Sequence, residues 1–480
     1  MNPSELRNQI EAFLRVSIRP ILVEPGEAPL PLVSDRFGLE ERGGNLVIQA
    51  WDENRNLVRR IRGIEKSERG KLSLAVERFG KRQGTLVLAD LANPHRQEWE
   101  RRGARLVFRE RLRKMLSRAL PEWTIRTLSA EADLHHSLSP AYSRALLTKG
   151  RQAIAAIAAP PECGDFPAML SFGLIWLDYV RRRQPKRSVE ALLFWAPSGV
   201  AAQLSFYLPL LDSRRAHFAI YLYSDDDFAA PLDPRDYGNV ATKLDICRDP
   251  DEIPFFIEKA EAVTRNDGSL SLRVAGLEFA RYAREMLWSG GEPLSLAEAR
   301  ALAANISSLR NPAADRGSQM YQQNPEAWLE SVVRSHLHVF DASLVPSPLY
   351  GQVPAVAGQS RTVIDLLAVD YSGRLAVLEL KAAQDLHLPL QALDYWLRVK
   401  WHLDRDEFSK AGYFPGTSLR QQPPRLVLIA PSLEFHPTTE TILRYLAPQI
   451  EVSRIGLNAD WRANPKVMFR LNGSQLPPAQ

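Results

Sequence analysis

Apolar and polar positions alternate through the first hundred residues of the chain. The runs "NLVIQAW" (45–51), "KLSLAVERF" (71–79) and "GTLVLADL" (84–91) are separated by glycine, asparagine and charged residues. A period of two is typical of strands that bury one face, and the short separations favour antiparallel pairing. We therefore expect a small β-rich module over residues 1–100, preceded by a polar-faced helix. The pattern assigns no chemistry to this module.

From residue 101 onward, longer apolar segments predict helices and strands together. We expect an α/β (α+β) domain over 101–247, a connecting segment over 248–320 and a final domain over 321–475. In the connecting segment, "GSLSLRVAGLEFARYAREML" (268–287) predicts a strand followed by a helix. The final domain is expected to begin with a helix capped by Asn324, since proline follows at the first helical position.

Three segments of the chain recur in the same order. "KGRQAIAAIAAP" (149–160) is matched by "SGRLAVLELKAA" (372–383), and "GLIWLDYVRR" (173–182) by "PLQALDYWLR" (389–398). "ALLFWAPSG" (191–199) is matched by "RLVLIAPSL" (425–433), and a further strand follows each of these. Each match alone is weak, but their common order indicates an internal duplication. We call residues 101–247 the first copy and 321–475 the second copy.

Charged residues interrupt two apolar runs of the second copy. "TVIDLLAVD" (362–370) and "RLAVLELKAA" (374–383) predict a β-hairpin covered on both faces. Asp365 lies on its first strand. Glu379 and Lys381 lie two residues apart on its second strand, so their side chains leave the same face about 7 Å apart. Since charges are rarely buried without a partner, we expect these groups to form one site.

Carboxylates and a lysine in this arrangement suit phosphate chemistry. Two carboxylates can hold a hard divalent cation, which lowers the pKa of a bound water and neutralises developing charge. A lysine beside them can orient or deprotonate that water and balance the phosphate.

The order of these residues resembles the PD-(D/E)XK, or restriction-endonuclease-like, nuclease superfamily. Asp365 is followed one hairpin later by Glu379-Leu380-Lys381, with Ile364 in place of the motif's proline. The resemblance spans roughly 324–460. It implies a central mixed sheet flanked by helices, and Mg²⁺ or Mn²⁺ bound by Asp365, Glu379 and the carbonyl of Leu380.

Two further residues agree with that resemblance. Glu330, in "PEAWLESVVRSHL" (325–337), occupies the place of an acidic residue that reaches the metal or its water in many members. Gln391, in "PLQALDYW" (389–396), resembles a helix glutamine that several DNA-processing branches use near the site. The alternatives are an ordinary surface glutamate and a glutamine that bonds its own helix.

The first copy lacks these charges. At the positions that the repeat matches to Glu379 and Lys381 it has Ala156 and Ala158, and near the place of Asp365 it has Tyr142. We therefore expect a degenerate nuclease-like domain without a metal site. The charges of the second copy are then not a requirement of the fold, which favours a function for them.

Composition adds little to this picture. The chain carries 61 Lys and Arg against 56 Asp and Glu, a net charge of +5, which permits a polyanionic partner without requiring one. The run "RRRQPKR" (181–187) is a candidate contact for nucleic acid, with a solvated helix end as the alternative. Its basic residues are Arg181, Arg182, Arg183, Lys186 and Arg187.

Cysteine usage bears on the compartment. Cys163 and Cys247 are far apart and lack the spacing of a zinc site or a disulfide framework. No stretch reaches the length of a membrane span. These features predict a cytoplasmic protein.

The sequence therefore favours a metal-dependent nuclease that hydrolyses phosphodiester bonds. DNA is favoured over RNA as the substrate, and endonuclease over exonuclease activity. The alternative is a non-catalytic nucleic-acid-binding or scaffold protein built on nuclease-like domains. Substrate form, sequence specificity and oligomeric state stay open.

Overall fold

The computed structural model describes most of the chain. The described residues are 3–17, 20–24, 30–32, 37–42, 44–51, 56–68, 70–78, 82–90, 96–133, 137–161, 163, 166–200, 204–224, 229–232, 244, 246–247, 252–265, 267–357 and 360–474. The chain divides into two compact units, 1–107 and 108–480. It is a mixed α+β protein, as the sequence predicts, and each of the four predicted segments contributes one sheet. Within the described residues no helix is long and apolar enough to span a membrane.

The first unit contains the predicted β-rich module. Helix α1 (Pro3–Val16) buries Leu6 and Ile10 in a core shared with an antiparallel sheet. The strands are β1 (Pro20–Val23), β2 (Leu30–Pro31), β3 (Phe37–Arg42), β4 (Asn45–Trp51), β5 (Asn56–Glu68), β6 (Lys71–Arg78) and β7 (Arg82–Asp90). Their order in the sheet is β2-β1-β7-β6-β5-β4-β3. The alternating runs of the sequence correspond to β4, β6 and β7.

The first copy forms a mixed sheet. Helix α2 (Arg96–Ala119) precedes it, and helix α3 (Ala168–Arg183) connects its third and fourth strands. The strands are β8 (Thr124–Ser129), β9 (Ser143–Lys149), β10 (Gln152–Ala158), β11 (Ser188–Pro197), β12 (His217–Tyr223) and β13 (Ala229–Pro231). Strands β10, β11 and β12 are parallel to one another, and the remaining neighbours are antiparallel. The 3₁₀ helices Ser198–Val200 and Ser205–Leu210 lie between β11 and β12.

The connecting segment forms a sheet of its own. Its antiparallel strands are β14 (Glu261–Thr264), β15 (Leu270–Val274), β16 (Leu277–Ala283), β17 (Met286–Ser289) and β18 (Glu292–Leu294), followed by helix α4 (Leu296–Leu309). The helix predicted within 268–287 is therefore wrong. Two tight turns break that stretch, because Ala275, Gly276, Arg284 and Glu285 all adopt positive φ, which a helix cannot contain.

The second copy repeats the topology of the first. Helices α5 (Gln319–Gln322), α6 (Pro325–Ser335) and α7 (Leu337–Phe340) precede the sheet, and the side chain of Asn324 caps α6 as predicted. The strands are β19 (Tyr350–Ala357), β20 (Ser360–Val369), β21 (Leu375–Leu380), β22 (Arg425–Pro431), β23 (Val452–Leu457) and β24 (Val467–Asn472). Helices α8 (Leu388–Leu403) and α9 (Glu407–Lys410) follow β21; the 3₁₀ helix Ser432–Glu434 and helix α10 (Thr439–Leu443) follow β22.

The two sheets agree strand by strand. In the second copy β21, β22 and β23 are parallel and the outer neighbours are antiparallel, which is the pattern of the first copy. Helix α8 occupies the place of α3 in the order of elements. A shared strand order with the same directions supports the internal duplication inferred from the sequence.

The copies pack against each other across a common apolar core. Residues of both belong to one buried cluster, in which α3 and α8 take part. Two backbone hydrogen bonds join the segments that follow the Ala-Pro-Ser sequence in each copy, from Asp212 N to Tyr445 O and from Ala447 N to Leu210 O, each 2.8 Å long; a third joins Cys247 N of the first copy to Ala411 O of the second at 2.7 Å. The contact is therefore built from matching segments that follow the Ala-Pro-Ser sequence in each copy.

Polar side chains mark the same contact twice. Tyr207 Oη donates to Asp394 Oδ1 at 3.2 Å, and Arg444 Nη1 donates to Asp178 Oδ1 at 3.2 Å. Asp178 and Asp394 are equivalent positions of the repeated sequence. Each copy thus holds the connecting helix of the other through its buried aspartate.

The five-stranded sheet packs on helix α6 of the second copy. Arg310 is buried beneath the ring of Trp328 and donates to backbone carbonyls that include those of Ala275 and Asn324. The turn at Gly276 lies directly against the backbone of Ala327 in α6. Because Gly276 has a φ of +79°, this approach depends on the absence of a side chain.

We predict that Gly276→Ala destabilises the protein by about 2–4 kcal/mol. Its Cβ would overlap the carbonyl oxygen of Ala327, which adds overpacking to the cost of positive φ. Gly290→Ala is the matched control, because Gly290 also has a positive φ (+60°) but faces open space, and it should cost about 1 kcal/mol. Urea unfolding of both variants checks this. Equal losses would show that the contact with α6 is dispensable.

Candidate metal centre

Strands β20 and β21 separate where the charged residues lie. Their ladder ends at the pair Leu366–Leu378, and the Asp365 carboxylate continues it, since Oδ2 accepts from the backbone N–H of Leu380 at 2.9 Å. The register places Asp365 opposite Glu379. The N–H and C=O of a strand residue point to the same side, so the Leu380 carbonyl points into the same gap.

The two carboxyl groups share an environment that disfavours ionisation. Burial raises the pKa of Asp365 to about 6, with the charge of Glu330 adding to the effect, although the hydrogen bond from Leu380 opposes it. Glu379 is only 1% exposed, and its pKa is raised well above the usual value by burial first and by Asp365 second. A hydrogen bond between the two carboxyl groups requires a proton on one of them.

The second oxygen of Glu379 is an exception to normal packing. Glu379 Oε2 is buried and has no hydrogen-bond partner among the described residues. A buried carboxylate oxygen without a donor costs free energy unless something else compensates its charge. A cation placed between Asp365, Glu379 and the Leu380 carbonyl would supply that compensation through oxygen ligands, which Mg²⁺ and Mn²⁺ accept. The donor set therefore fits a hard divalent ion.

The site has few ligands of its own. Among the described residues no group of three or more His, Cys, Asp or Glu side chains is arranged to hold a metal ion. Two carboxylates and one carbonyl leave the remaining positions of a six-coordinate ion to water or to a phosphate, as is usual for Mg²⁺.

Lys381 lies at the end of β21 between two further carboxylates. Its Nζ is 3.5 Å from Glu326 Oε1 and 3.8 Å from Asp385 Oδ2. Burial lowers the pKa of Lys381, but Glu326, Glu379 and Asp385 outweigh it and hold the pKa above its usual value. The ammonium group is thus protonated at neutral pH in this arrangement.

Glu330, which the sequence predicts to reach the metal or its water, pairs with arginines, whereas Glu326 contacts Lys381. Glu330 is buried in α6, but its Oε1 accepts from Arg334 Nε at 2.8 Å and lies 3.5 Å from Arg273 Nη1. Glu326, one helical turn earlier, contacts Lys381 instead. Glu326 was not among the residues predicted from the sequence, although its spacing of four from Glu330 places both on one helix face.

Gln391 reaches the site only through a neighbour. Its Nε2 donates to the hydroxyl of Tyr395 at 3.1 Å. Burial raises the pKa of Tyr395, and the nearby charge of Glu379 raises it further. Tyr395 is therefore the residue of α8 that adjoins the carboxylates, with Gln391 one turn before it.

The first copy has different residues at the equivalent places than the sequence match suggests. In the first copy, Ile157 of β10 pairs with Phe194 of β11 on one side and with Arg144 of β9 on the other. In the second copy, Glu379 of β21 pairs with Leu428 of β22 and lies opposite Asp365 of β20. The Ala-Pro-Ser match aligns Phe194 with Leu428, so Ile157 replaces Glu379.

The assignments of Ala156, Ala158 and Tyr142 are therefore wrong. The equivalents of Glu379, Lys381 and Asp365 are Ile157, Ala159 and Arg144, and the backbone agrees, since the amides of Ala159 and Lys381 donate to matching carbonyls of the next strand. The reason lies in the hairpin turns. The turn of the first copy holds residues 150–151, and that of the second holds 370–374. Matching their glycines shifts the strands by one residue.

Arg144 places a fixed cation where the second copy has Asp365. It is 3% exposed, and its guanidinium donates to the carbonyls of Ser139, Tyr142 and Glu131. Burial lowers its pKa to about 10, so it remains charged at neutral pH. A buried guanidinium repels a divalent ion, so the place that matches the proposed metal centre has neither the ligands nor the electrostatics to hold one.

The basic run at the end of α3 is largely used by the protein itself. Arg181 donates to the carbonyls of Val189 and Arg215 and lies over the ring of Tyr445, so it belongs to the contact between the copies. Arg182 pairs with Asp178 at 3.0 Å. In the same run, Arg183 lies over Tyr179, Arg187 donates to Gly150 O, and Lys186 is exposed. Only part of the run is available to an external phosphate.

Comparison of the chain with protein-family models, with curated proteins and with solved structures gives no match. Function therefore has to be argued from the site.

We predict that the metal-free protein loses stability as pH rises through about 6. The raised pKa of Asp365 means that the folded protein favours the protonated carboxyl group, so this stability is complete below pH 4 and lost above pH 6. In chelator at pH 7.5, the free energy of unfolding of Asp365→Asn should exceed that of the wild type by on the order of 1 to 3 kcal/mol. The difference should be smaller at pH 5. Thermal unfolding at both pH values measures this.

The divalent ion supplies the second half of that experiment. Mg²⁺ or Mn²⁺ should raise the unfolding temperature of the wild type and leave that of Asp365→Asn nearly unchanged. A wild type that is no less stable than the variant at pH 7.5 in chelator would contradict the inference that the folded protein disfavours the ionised form of Asp365.

Proposed function

We propose that the protein is a metal-dependent nuclease whose active site lies in the second copy. The observation that carries the proposal is the pair of half-buried Asp365 and buried Glu379, with an oxygen of Glu379 that no described residue satisfies. The superfamily resemblance of the sequence supports it. So does the mixed sheet of the second copy, with helices α6 and α8 packed against its strands.

Asp365, Glu379 and the carbonyl of Leu380 are the proposed ligands of Mg²⁺ or Mn²⁺. The ion, when bound, lowers the pKa of a water and compensates charge on the scissile phosphate. The protein fixes the ligands by packing, since Asp365 is held by the amide of Leu380 and Glu379 is enclosed by the core.

Lys381 is proposed as a positioning cation rather than a base. Its pKa lies above the usual value because carboxylates surround it, so it keeps its protons at neutral pH. In that state it donates hydrogen bonds to a phosphate oxygen or orients the attacking water through the lone pairs of that water. Glu326 and Asp385 hold it in place and could accept the proton that the water releases.

A non-catalytic nucleic-acid-binding protein is the second candidate. It is favoured by the first copy, which has the same topology and carries Arg144 and Ile157 in place of the proposed ligands. Under this alternative the carboxylate pair would bind metal without turnover. Measurement of cleavage separates the two.

We predict that cleavage of DNA requires Mg²⁺ or Mn²⁺ and falls by about a hundredfold or more in Asp365→Asn, Glu379→Gln and Lys381→Ala. Even groups that only support a metal ligand contribute about ten- to hundredfold, and these residues act directly. Asp404→Asn is the matched control, since Asp404 is an exposed carboxylate paired with Lys400 on the same domain. A gel assay with labelled DNA gives the rates. Full activity of Glu379→Gln would contradict the assignment of Glu379 as a metal ligand of the active site.

We predict that supercoiled circular DNA is first nicked and only later made linear. One chain carries one set of proposed ligands, because Arg144 and Ile157 replace the carboxylates in the first copy. The first copy also covers the α8 side of the second, a face that a second active copy would need. A time course at low enzyme concentration tests this. Linear product that appears together with the nicked circle would show two cooperating sites.

A further inference from the structure

The five-stranded sheet has one apolar and one polar face. Its apolar face, with Leu272 and Ala280, packs on Ala299 and Ala303 of α4. The strand register brings a row of polar and aromatic residues together on the opposite face. These residues are Glu261, Ser271, Arg273, Glu278, Arg281 and Trp288.

Helix α6 covers one end of the polar face. Arg273 Nη1 lies 3.5 Å from Glu330 Oε1, and the half-buried Glu261 bonds Ser331. The same helix contacts the proposed metal centre, since Glu326 Oε1 lies 3.5 Å from Lys381 Nζ. The covered end of the sheet therefore adjoins the proposed active site.

The other end of the polar face lines a groove of about 700 Å³. Arg281 and Trp288 are directly opposite each other on neighbouring strands, and the exposed Arg284 lies in the turn between them. Gly290 and Gly291 form a further edge, where a Cβ on either glycine would meet no atom within 4 Å. The groove thus combines guanidinium groups, an indole ring and an open backbone.

Polar contacts connect the two ends of this face. Arg273 Nε donates to Ser271 Oγ at 2.9 Å, and Ser271 Oγ donates to Glu278 at the edge of the groove. Ser271 lies opposite Arg281 in the register. Since two strand residues span about 7 Å, the groove begins within one or two side chains of the end that α6 covers.

The acidic residues of the groove have partners within the sheet. Glu278 Oε2 accepts from Arg265 Nη1 at 2.8 Å, and Asp267 Oδ1 accepts from the backbone N–H of Ser269 at 3.0 Å. Their charges are therefore partly compensated. Arg281 and Arg284 also line the groove, and guanidinium groups bind phosphate through paired hydrogen bonds.

We propose that this groove binds a single-stranded segment of the nucleic acid, with phosphates at Arg281 and Arg284 and a base stacked on Trp288. The proposal rests on the nuclease function and names the form of its substrate. An indole inside a groove can stack on an unpaired base, whereas the bases of a duplex are stacked on one another. Stacking of this kind tolerates any sequence, because every base has a flat face.

Binding to a fluorescently labelled single-stranded oligonucleotide tests the proposal. The full-length Glu379→Gln protein in chelator separates binding from cleavage. Trp288→Ala should raise Kd by about tenfold, and Trp288→Phe should recover most of that loss. Arg281→Ala and Arg284→Ala should each raise Kd and reduce the slope of log Kd against log salt by about 0.7. Arg300→Ala on α4 is the matched control, since it removes one positive charge on the other side of the sheet.

The outcomes distinguish this proposal from the nuclease function. If the wild type cleaves but the groove variants bind and cleave like Arg300→Ala, the groove proposal is overturned and the nuclease stands. If the variants lose binding but the wild type cleaves nothing with Mg²⁺ or Mn²⁺, the groove stands and the nuclease fails. Equal losses for single strands and for blunt duplex would overturn the single-strand assignment. No binding and no cleavage by the wild type would overturn both.

Discussion

The close approach of two carboxyl groups is the constraint on which the candidate site of the second copy depends. Asp365 and Glu379 are neighbours across the strands, and burial and mutual repulsion both oppose their ionisation. The fold does not need them, because the first copy has the same strand order with Arg144 and Ile157 in their places. A pair that costs stability and is absent from an otherwise equivalent sheet is best explained by a ligand that it holds, and a divalent cation matches its chemistry.

Local patterns predicted the strands and the members of the site. Alternation identified β4, β6 and β7, and the hairpin geometry placed Asp365 and Glu379 together, because both depend on residues close in sequence. Prediction failed where a turn lacked its usual residues. Arg284 and Glu285 adopt positive φ without glycine or asparagine, so the hairpin between β16 and β17 reads as a helix.

Longer-range features were beyond the sequence for a different reason. Glu326 and Glu330 lie on one face of α6, so the sequence does not distinguish their roles. Their partners do, because Glu330 contacts Arg273 and Glu326 contacts Lys381. Arg273, which contacts Glu330, comes from a five-stranded sheet where the sequence predicts a connecting segment with a single strand and a helix. The sequence match placed the first copy one residue out of register. The two hairpin turns differ in length, and the strands beside them are too similar in composition to reveal the shift. The contacts of Glu326 and Glu330, and the strand pairing that fixes the register of the first copy, join residues that are distant along the chain.

The proposed site lies between two helices that other parts of the chain hold. Helix α8 carries Tyr395 and is fixed by the first copy through Asp394 and Tyr207. Helix α6 carries Glu326 and is fixed by the five-stranded sheet through Gly276 and Arg273. Metal and phosphate geometry tolerates little displacement, so a site of this kind needs support on both sides. The first copy can provide that support at α8 although it carries Arg144 and Ile157 in place of the proposed ligands. Under the proposed function, the first copy would contribute by packing rather than by chemistry, and the sheet would contribute both support and the proposed path of the strand.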